Sequence, residues 1–146
     1  MKKNKKKFNG FTLIELLVVI GIIGILASFL FANFVGIRQR ARDGVRKNDL
    51  RQIQSALEMY RSDNQGSYPA SLPTCGNQFD DGTAVYMKKV PCDPIANLDY
   101  SYSLSGSTYT LVACLENVSD SQADTSNSNP PCAGPPTNIS YTLQNQ

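Results

Sequence analysis

Histidine and tryptophan are both missing from this chain of 146 residues. Histidine is the side chain that most often transfers protons or binds metals near neutral pH, so its absence removes the usual catalytic base. The cysteines also lack the Cys-x-x-Cys spacing of a zinc or thiol–disulfide exchange site. These absences predict a protein that is not an enzyme.

Charge is missing from one long stretch, since no charged residue occurs between Leu16 and Ile37. As a helix, the segment Phe11–Ile37 would extend about 40 Å, against a hydrocarbon core of about 30 Å. The segment therefore predicts a transmembrane helix. It contains one carboxylate, Glu15. An ionisable group in a spanning helix is costly enough to indicate a function.

The net charge of +2 hides a strong asymmetry. Five lysines precede Gly10, and the chain from Phe11 onward carries nine basic and twelve acidic residues. Six of those basic residues form a collar between Arg38 and Arg51, which we expect to face solvent, lipid headgroups or acidic faces of neighbouring subunits. The part after the collar is acidic, which argues against a nucleic-acid-binding domain.

All four cysteines lie in the polar C-terminal part of the chain. An even number of cysteines beyond a membrane segment favours two disulfides in an oxidising compartment, which places this part outside the cytoplasm. Three connectivities are possible, and closure of short local loops favours Cys75–Cys92 together with Cys114–Cys132.

Apolar periodicity predicts that the helix continues as an amphipathic segment beyond the membrane. The predicted stripe slips once, between Val45 and Leu50; its members are Ile37, Ala41, Val45, Leu50, Ile53, Leu57 and Tyr60. Gly66 is suited to a left-handed helix cap. Alternating side chains over 100–105 and 109–115 predict a β-hairpin that packs on Ile53, Leu57 and Tyr60, and 139–143 predicts a third, edge strand.

The motif from Gly10 to Glu15, Gly-Phe-Thr-Leu-Ile-Glu, follows a lysine-rich leader and resembles the prepilin signal of type IV pilins and type II secretion pseudopilins. The resemblance implies cleavage between Gly10 and Phe11 by a prepilin peptidase, then N-methylation of Phe11. It implies that Glu15 meets the N-terminal amine of a neighbouring subunit in a helical filament. It also implies an α+β pilin fold, with the long helix on a small antiparallel sheet.

Segments of the head are similar to the major, G-type pseudopilin: residues 56–60, 63–64, 66–69 and 90–94, followed by Tyr100 and Tyr102. This resemblance implies the major pseudopilin of a type II secretion-like system that drives protein export. One alternative is a type IV pilin for adhesion, twitching or DNA uptake. A second alternative is a membrane-anchored binding module that never polymerises.

The C-terminal loop departs from that pattern. G-type pseudopilins usually carry a loop that binds calcium, and Glu116, Asp120 and Asp124 are the carboxylates here that could bind it. A solvated acidic loop is the other interpretation. A loop bracketed by Cys114 and Cys132 is more similar to a true type IV pilin.

These observations predict four segments: a cleaved leader (1–10), a transmembrane and polymerisation helix (11–37), its amphipathic continuation (38–66) and a globular head (67–146). We expect a single-pass protein of the bacterial inner membrane, with its N-terminus in the cytoplasm and its head in the periplasm or outside the cell. The resemblance implies a homo-oligomeric filament, an inner-membrane assembly platform and minor pilins or pseudopilins as partners. No nucleic-acid partner is expected.

Overall fold

The computed structural model describes residues 10–95, 97–124, 132 and 139–145, and for residues 31–33 it describes the backbone alone. Most of the predicted leader and residues 125–131 of the disulfide-bracketed loop lie outside this description. The elements are α1 (Leu13–Asp63), β1 (Phe79–Asp80), β2 (Val85–Met87), β3 (Ser101–Ser105), β4 (Thr108–Cys114) and β5 (Ser140–Gln144). The long helix with small antiparallel sheets confirms the predicted α+β pilin-type fold.

The chain divides into two compact units, Met1–Ile37 and Arg38–Gln146. The first unit contains the apolar part of α1, in which Leu13–Leu30 is long and apolar enough to cross a membrane. Its large side chains are exposed in the single chain, including Ile14, Leu17 and Ile25. Such a surface needs lipid or other apolar helices around it.

Helix α1 begins and ends with local hydrogen bonds that satisfy its free backbone groups. Its N-terminus is a capping box, in which the Thr12 amide donates to Glu15 Oε2 (2.8 Å) and the Glu15 amide donates to Thr12 Oγ1 (3.3 Å). At the other end, the Gly66 amide donates to the Arg61 carbonyl (2.9 Å). Gly66 has a φ of 82°, as predicted for a glycine cap.

The second unit contains both sheets. Strands β3, β4 and β5 form an antiparallel sheet in that order, so β5 is the predicted edge strand beside β4. Ser105 pairs with Thr108 across a two-residue turn, where Gly106 takes a φ of 61° that glycine adopts without strain. Strands β1 and β2 form a separate pair, which was not predicted because two and three residues are too short to show periodicity.

The core of the second unit lies between α1 and the larger sheet. Helix residues Leu50, Ile53 and Leu57 form one buried cluster with Tyr109 and Leu111 of β4. An aromatic group extends this core toward β1 and β2, with ring centroids 5.2–5.5 Å apart; its members are Tyr60, Phe79 and Tyr86. The hairpin therefore packs on the part of the predicted stripe from Leu50 to Leu57.

The part of that stripe from Ile37 to Val45 is exposed, contrary to the prediction of an apolar face that holds the head. Val45 is 47% exposed, whereas Asp43 and Arg46 are 0% and 4% exposed. Between residues 43 and 49 the buried face of α1 is the charged one. Carboxylates and backbone amides from the rest of the head make this burial possible, because buried charges must be paired and hydrogen-bonded.

Replacing Leu57 by alanine tests this core. Leu57 is fully buried, so Leu57→Ala should lower the free energy of unfolding of the head by about 2–5 kcal/mol. Near-UV circular dichroism during urea unfolding measures this effect in the head alone, because there is no tryptophan and all seven tyrosines lie between residues 60 and 141. Met59→Ala, at a half-exposed position of the same helix, is the control, and equal losses in both variants would contradict the assignment.

Candidate functional site

The residues predicted for processing and assembly surround the start of α1. Gly10 and Phe11 precede the first helical residue, and the Phe11 side chain is 87% exposed. A Cβ added to Gly10 would meet no atom within 4 Å among the described residues. Both residues are therefore exposed with respect to the described part of the chain.

Glu15 lies in the first turn of α1, where its carboxylate accepts hydrogen bonds from the Thr12 amide and from Thr12 Oγ1 (2.7 Å). A negative charge at this end of a helix is also favoured by the helix dipole. A shallow apolar groove of about 330 Å³ adjoins the carboxylate, lined by Phe11, Ile14, Glu15, Val18 and Val19. The arrangement presents an acid within an apolar surface that remains uncovered in the single chain.

A second cluster of charged residues lies inside the head and has Arg46 at its centre. Its guanidinium donates through Nε to Asp93 Oδ2 (2.6 Å) and through Nη1 to Asp43 Oδ1 (2.8 Å) and Glu116 Oε1 (2.7 Å). Burial alone would lower the pKa of Arg46, but its hydrogen bonds to Asp93, Glu116 and Asp43 outweigh that effect and raise it. Arg46 therefore stays charged although it is almost inaccessible to water.

Asp43 joins the helix to the start of the C-terminal loop. Besides Arg46, its carboxylate accepts from the backbone amides of Glu116 (3.0 Å) and Asn117 (2.8 Å). Glu116 in turn accepts from Nε (2.8 Å) and Nη2 of Arg42. Among the described residues, no buried side-chain nitrogen or oxygen lacks a hydrogen-bond partner, so every buried polar atom of this cluster has one.

Two further contacts extend the cluster along the helix. Lys47 Nζ donates to Asp120 Oδ2 (2.8 Å), and the Tyr100 hydroxyl donates to Asp49 Oδ2 (2.8 Å). Burial raises the pKa of Asp49, which the hydrogen bond from Tyr100 only partly offsets. The helix from Arg42 to Asp49 therefore contacts the loop after β2, the residue before β3 and the loop after β4.

The structure separates the three carboxylates that were candidates for calcium. Glu116 binds Arg42 and Arg46, Asp120 binds Lys47, and Asp124 forms a β-bridge with Ser140. No group of three or more histidine, cysteine or acidic side chains in the described part of the chain is arranged to hold a metal ion.

Both predicted disulfides are present. Cys75 bonds to Cys92 with a Cα–Cα distance of 5.0 Å, and Cys114 bonds to Cys132 with 5.4 Å. The first closes the segment that leads to Asp93, and the second begins two residues before Glu116. Each bond therefore anchors a chain segment beside an acceptor of Arg46.

The central role of Arg46 was not predicted, because the basic collar was expected to lie on an outer surface. One signal was present: the apolar stripe slips between Val45 and Leu50, and Asp43 and Asp49, the two acids within the collar, lie three residues on either side of Arg46. Asp93 and Glu116 are 47 and 70 residues from Arg46, so no local pattern connects them.

A capped apolar helix that continues into a small α+β head defines the class of pilin-like filament subunits. A model of the prokaryotic N-terminal methylation motif matches residues 5–31 of this chain. The model of type II secretion system protein G matches residues 33–130. The chain belongs to the type II secretion system protein G family, whose members are structural pseudopilin subunits.

Curated relatives agree with this assignment. The type II secretion system core protein G of Vibrio cholerae is 36% identical over 120 residues, which cover 76% of this chain and 80% of that protein. Its counterpart from Pseudomonas aeruginosa is 36% identical over 141 residues, covering 84% and 96%. The type IV wide pilus major component PilA4 of Thermus thermophilus is 38% identical over 107 residues, covering 71% of each chain. No solved structure gave a significant match.

The charged cluster predicts that acid destabilises the head. The hydrogen bond from Arg42 lowers the pKa of Glu116, and the hydrogen bond from Lys47 lowers that of Asp120. A carboxyl group whose pKa is lower in the folded chain contributes stability above its unfolded pKa of about 4, and that contribution is lost as the pH falls. Asp49 acts in the opposite direction, because its raised pKa favours the folded state at low pH and not at high pH.

Thermal unfolding of wild type and Glu116→Gln between about pH 6 and pH 3 checks this sign. We expect the variant to be less stable at pH 6 and to lose less stability on acidification than wild type. Asp63→Asn, which removes an exposed acid at the end of α1, should keep the wild-type slope. Parallel curves for wild type and Glu116→Gln would contradict the role of Glu116.

Proposed function

We propose that this chain is the major pseudopilin of a type II secretion system, and that growth of its filament drives protein export. The match of the protein G model to residues 33–130 is the observation that carries this proposal. That range covers the head and the helix beneath it, whereas the N-terminal motif is shared with pilins. A structural subunit also suits a chain without histidine.

Processing in this proposal occurs between Gly10 and Phe11, with a prepilin peptidase as the partner and with methylation of the new amine on Phe11. The exposure of Phe11 and the position of both residues before α1 support this site. The methylation motif matched over residues 5–31 includes both. Removal of the leader also removes five lysines from the membrane-proximal end.

Glu15 then pairs with the amine at Phe11 of a neighbouring subunit. A carboxylate and an ammonium are each costly in an apolar medium and tolerable when they are paired. In the single chain, Oε2 of this carboxylate accepts hydrogen bonds from the amide and the hydroxyl of Thr12. In the filament, the amine would add an opposite charge, which fixes the axial position of one subunit against the next.

We further propose a single-pass protein of the bacterial inner membrane, with the N-terminus in the cytoplasm and the head outside it. The apolar segment Leu13–Leu30 and the two disulfides support this orientation. The exposed apolar side chains of this segment would lie in lipid before assembly and against other copies in the filament. An inner-membrane assembly platform and minor pseudopilins are the further partners, in an open helical assembly of heterologous contacts.

A type IV pilin is the second candidate, because PilA4 of Thermus thermophilus is 38% identical. The disulfide-bracketed C-terminal loop agrees with it. Deletion of the gene distinguishes the two candidates: loss of exported enzymes from the culture medium, with surface filaments unchanged, supports secretion. Loss of surface filaments, with export intact, would instead establish a pilus.

Substitution of Glu15 tests the assembly role. Glu15→Ala should abolish incorporation into filaments while the leader is still removed, because the charge partner of the neighbouring amine is lost and the cleavage site is unchanged. Glu15→Gln separates the charge from the hydrogen bonds, and we expect it to fail as well. Mass spectrometry of the N-terminus measures processing, and cross-linking in membranes measures incorporation.

Ser28→Ala is the matched control, since it removes a polar side chain that donates only within the same helix, to the Ile25 carbonyl. This variant should process and assemble as wild type does. Normal incorporation of Glu15→Ala would rule out the assembly role and favour a membrane-anchored binding module that never polymerises.

A further inference from the structure

We propose that Arg46 is the built-in structural cation of the head, so that the folded head needs no bound calcium. The inference concerns the second unit and does not depend on which machine the filament serves. Three carboxylates of the C-terminal loop are the candidates for calcium binding: Glu116, Asp120 and Asp124. In this chain, each of them is engaged by another group of the same chain.

The donor set does not fit calcium. Both oxygens of Glu116 accept from guanidinium groups, and Asp120 accepts from Lys47 and, through Oδ1 at 2.9 Å, from the Gln122 amide. Asp124 accepts from the Ser140 hydroxyl (3.3 Å). Calcium takes six to eight oxygens at about 2.3–2.6 Å. Both oxygens of Glu116 and Oδ2 of Asp120 already accept from cationic groups, so they cannot turn toward calcium without breaking those bonds.

Arg46 does what a bound metal ion would do, which is to join carboxylates from distant parts of the chain. Asp43 comes from α1, Asp93 from the connection between β2 and β3, and Glu116 from the loop after β4. A guanidinium has five N–H donors in a fixed planar fork, so it can bind several carboxylates with defined geometry. Arg46 is 4% exposed, so water competes little for these contacts.

The acceptors around Arg46 are also positioned by other groups. The Asp93 carboxylate accepts from the Ile95 amide (2.9 Å), Asp43 accepts from two backbone amides, and Glu116 is bound by Arg42. Two guanidinium groups therefore face three carboxylates, and backbone amides donate further hydrogen bonds to Asp43 and Asp93. The cluster is complete with side chains of the chain itself.

The first experiment removes and adds calcium. The full-length mature protein in detergent is heated in EDTA and in millimolar calcium, and near-UV circular dichroism of the tyrosines reports unfolding of the head. We expect the two Tm values to agree within about 2 °C. A rise of more than about 5 °C in calcium would overturn the proposal, because a ligand that binds only the folded state raises Tm by mass action.

The second experiment changes the guanidinium. Arg46→Ala should lower the Tm of the head by about 10 °C or more, in EDTA and in calcium alike, since it leaves buried carboxylates without their cation. Arg46→Lys keeps the charge without the fork and should fall between wild type and Arg46→Ala. Arg51→Ala, at an exposed arginine of the same helix, is the control and should change Tm by less than about 2 °C.

An unchanged Tm for Arg46→Ala would show that the guanidinium does not hold the head together. Recovery of that variant to the wild-type Tm by calcium would also contradict the proposal, because calcium would then suffice as the structural cation. If Arg46→Ala does not fold in either solution, its near-UV circular dichroism signal is absent at every temperature. This is the largest destabilisation that the proposal predicts. The comparison of wild type in EDTA and calcium then still decides the question independently.

Discussion

The buried guanidinium of Arg46 is the contact on which the arrangement of the head depends. It joins three acidic side chains that belong to the helix, to the segment after the first disulfide and to the loop that begins at the second. Buried ion pairs contribute little net stability compared with apolar packing, because each charge loses its hydration. Their geometric demands are strict, however, and here they determine which face of α1 turns inward between Asp43 and Asp49.

Helix α1 serves two different environments within one element. Its first part, up to Ile37, exposes apolar side chains and contains one acid, whereas its second part buries an ionic cluster followed by a conventional apolar core. Membrane helices lack a hydrophobic driving force toward one another, so polar groups such as Glu15 can decide how they associate. In the head the situation is reversed, since apolar burial supplies most of the stability and ion pairs supply the geometry.

The family assignment and the structure agree on the kind of molecule, a pseudopilin subunit, and each adds something that the other lacks. The matched protein G model covers the helix beneath the head and most of the head itself. The structure shows how this particular head holds its C-terminal loop, through Asp43, Arg42 and Lys47 together with the Cys114–Cys132 bond. The head therefore combines a small apolar core with two disulfides and with an ionic cluster that connects its loops to the helix.

The sequence by itself determined the features that depend on local patterns. Apolar composition up to Ile37 and the amphipathic stripe after it together predict the length of the helix. Alternation predicts the hairpin of β3 and β4 and the edge strand β5, and short loop closure predicts both disulfides. Only the tertiary structure decided which residues of the basic collar are buried. Two acceptors of Arg46, Asp93 and Glu116, lie 47 and 70 residues away in the sequence. The guanidinium, which was predicted to be solvated, can therefore be buried only in the folded chain, where these carboxylates neutralise it.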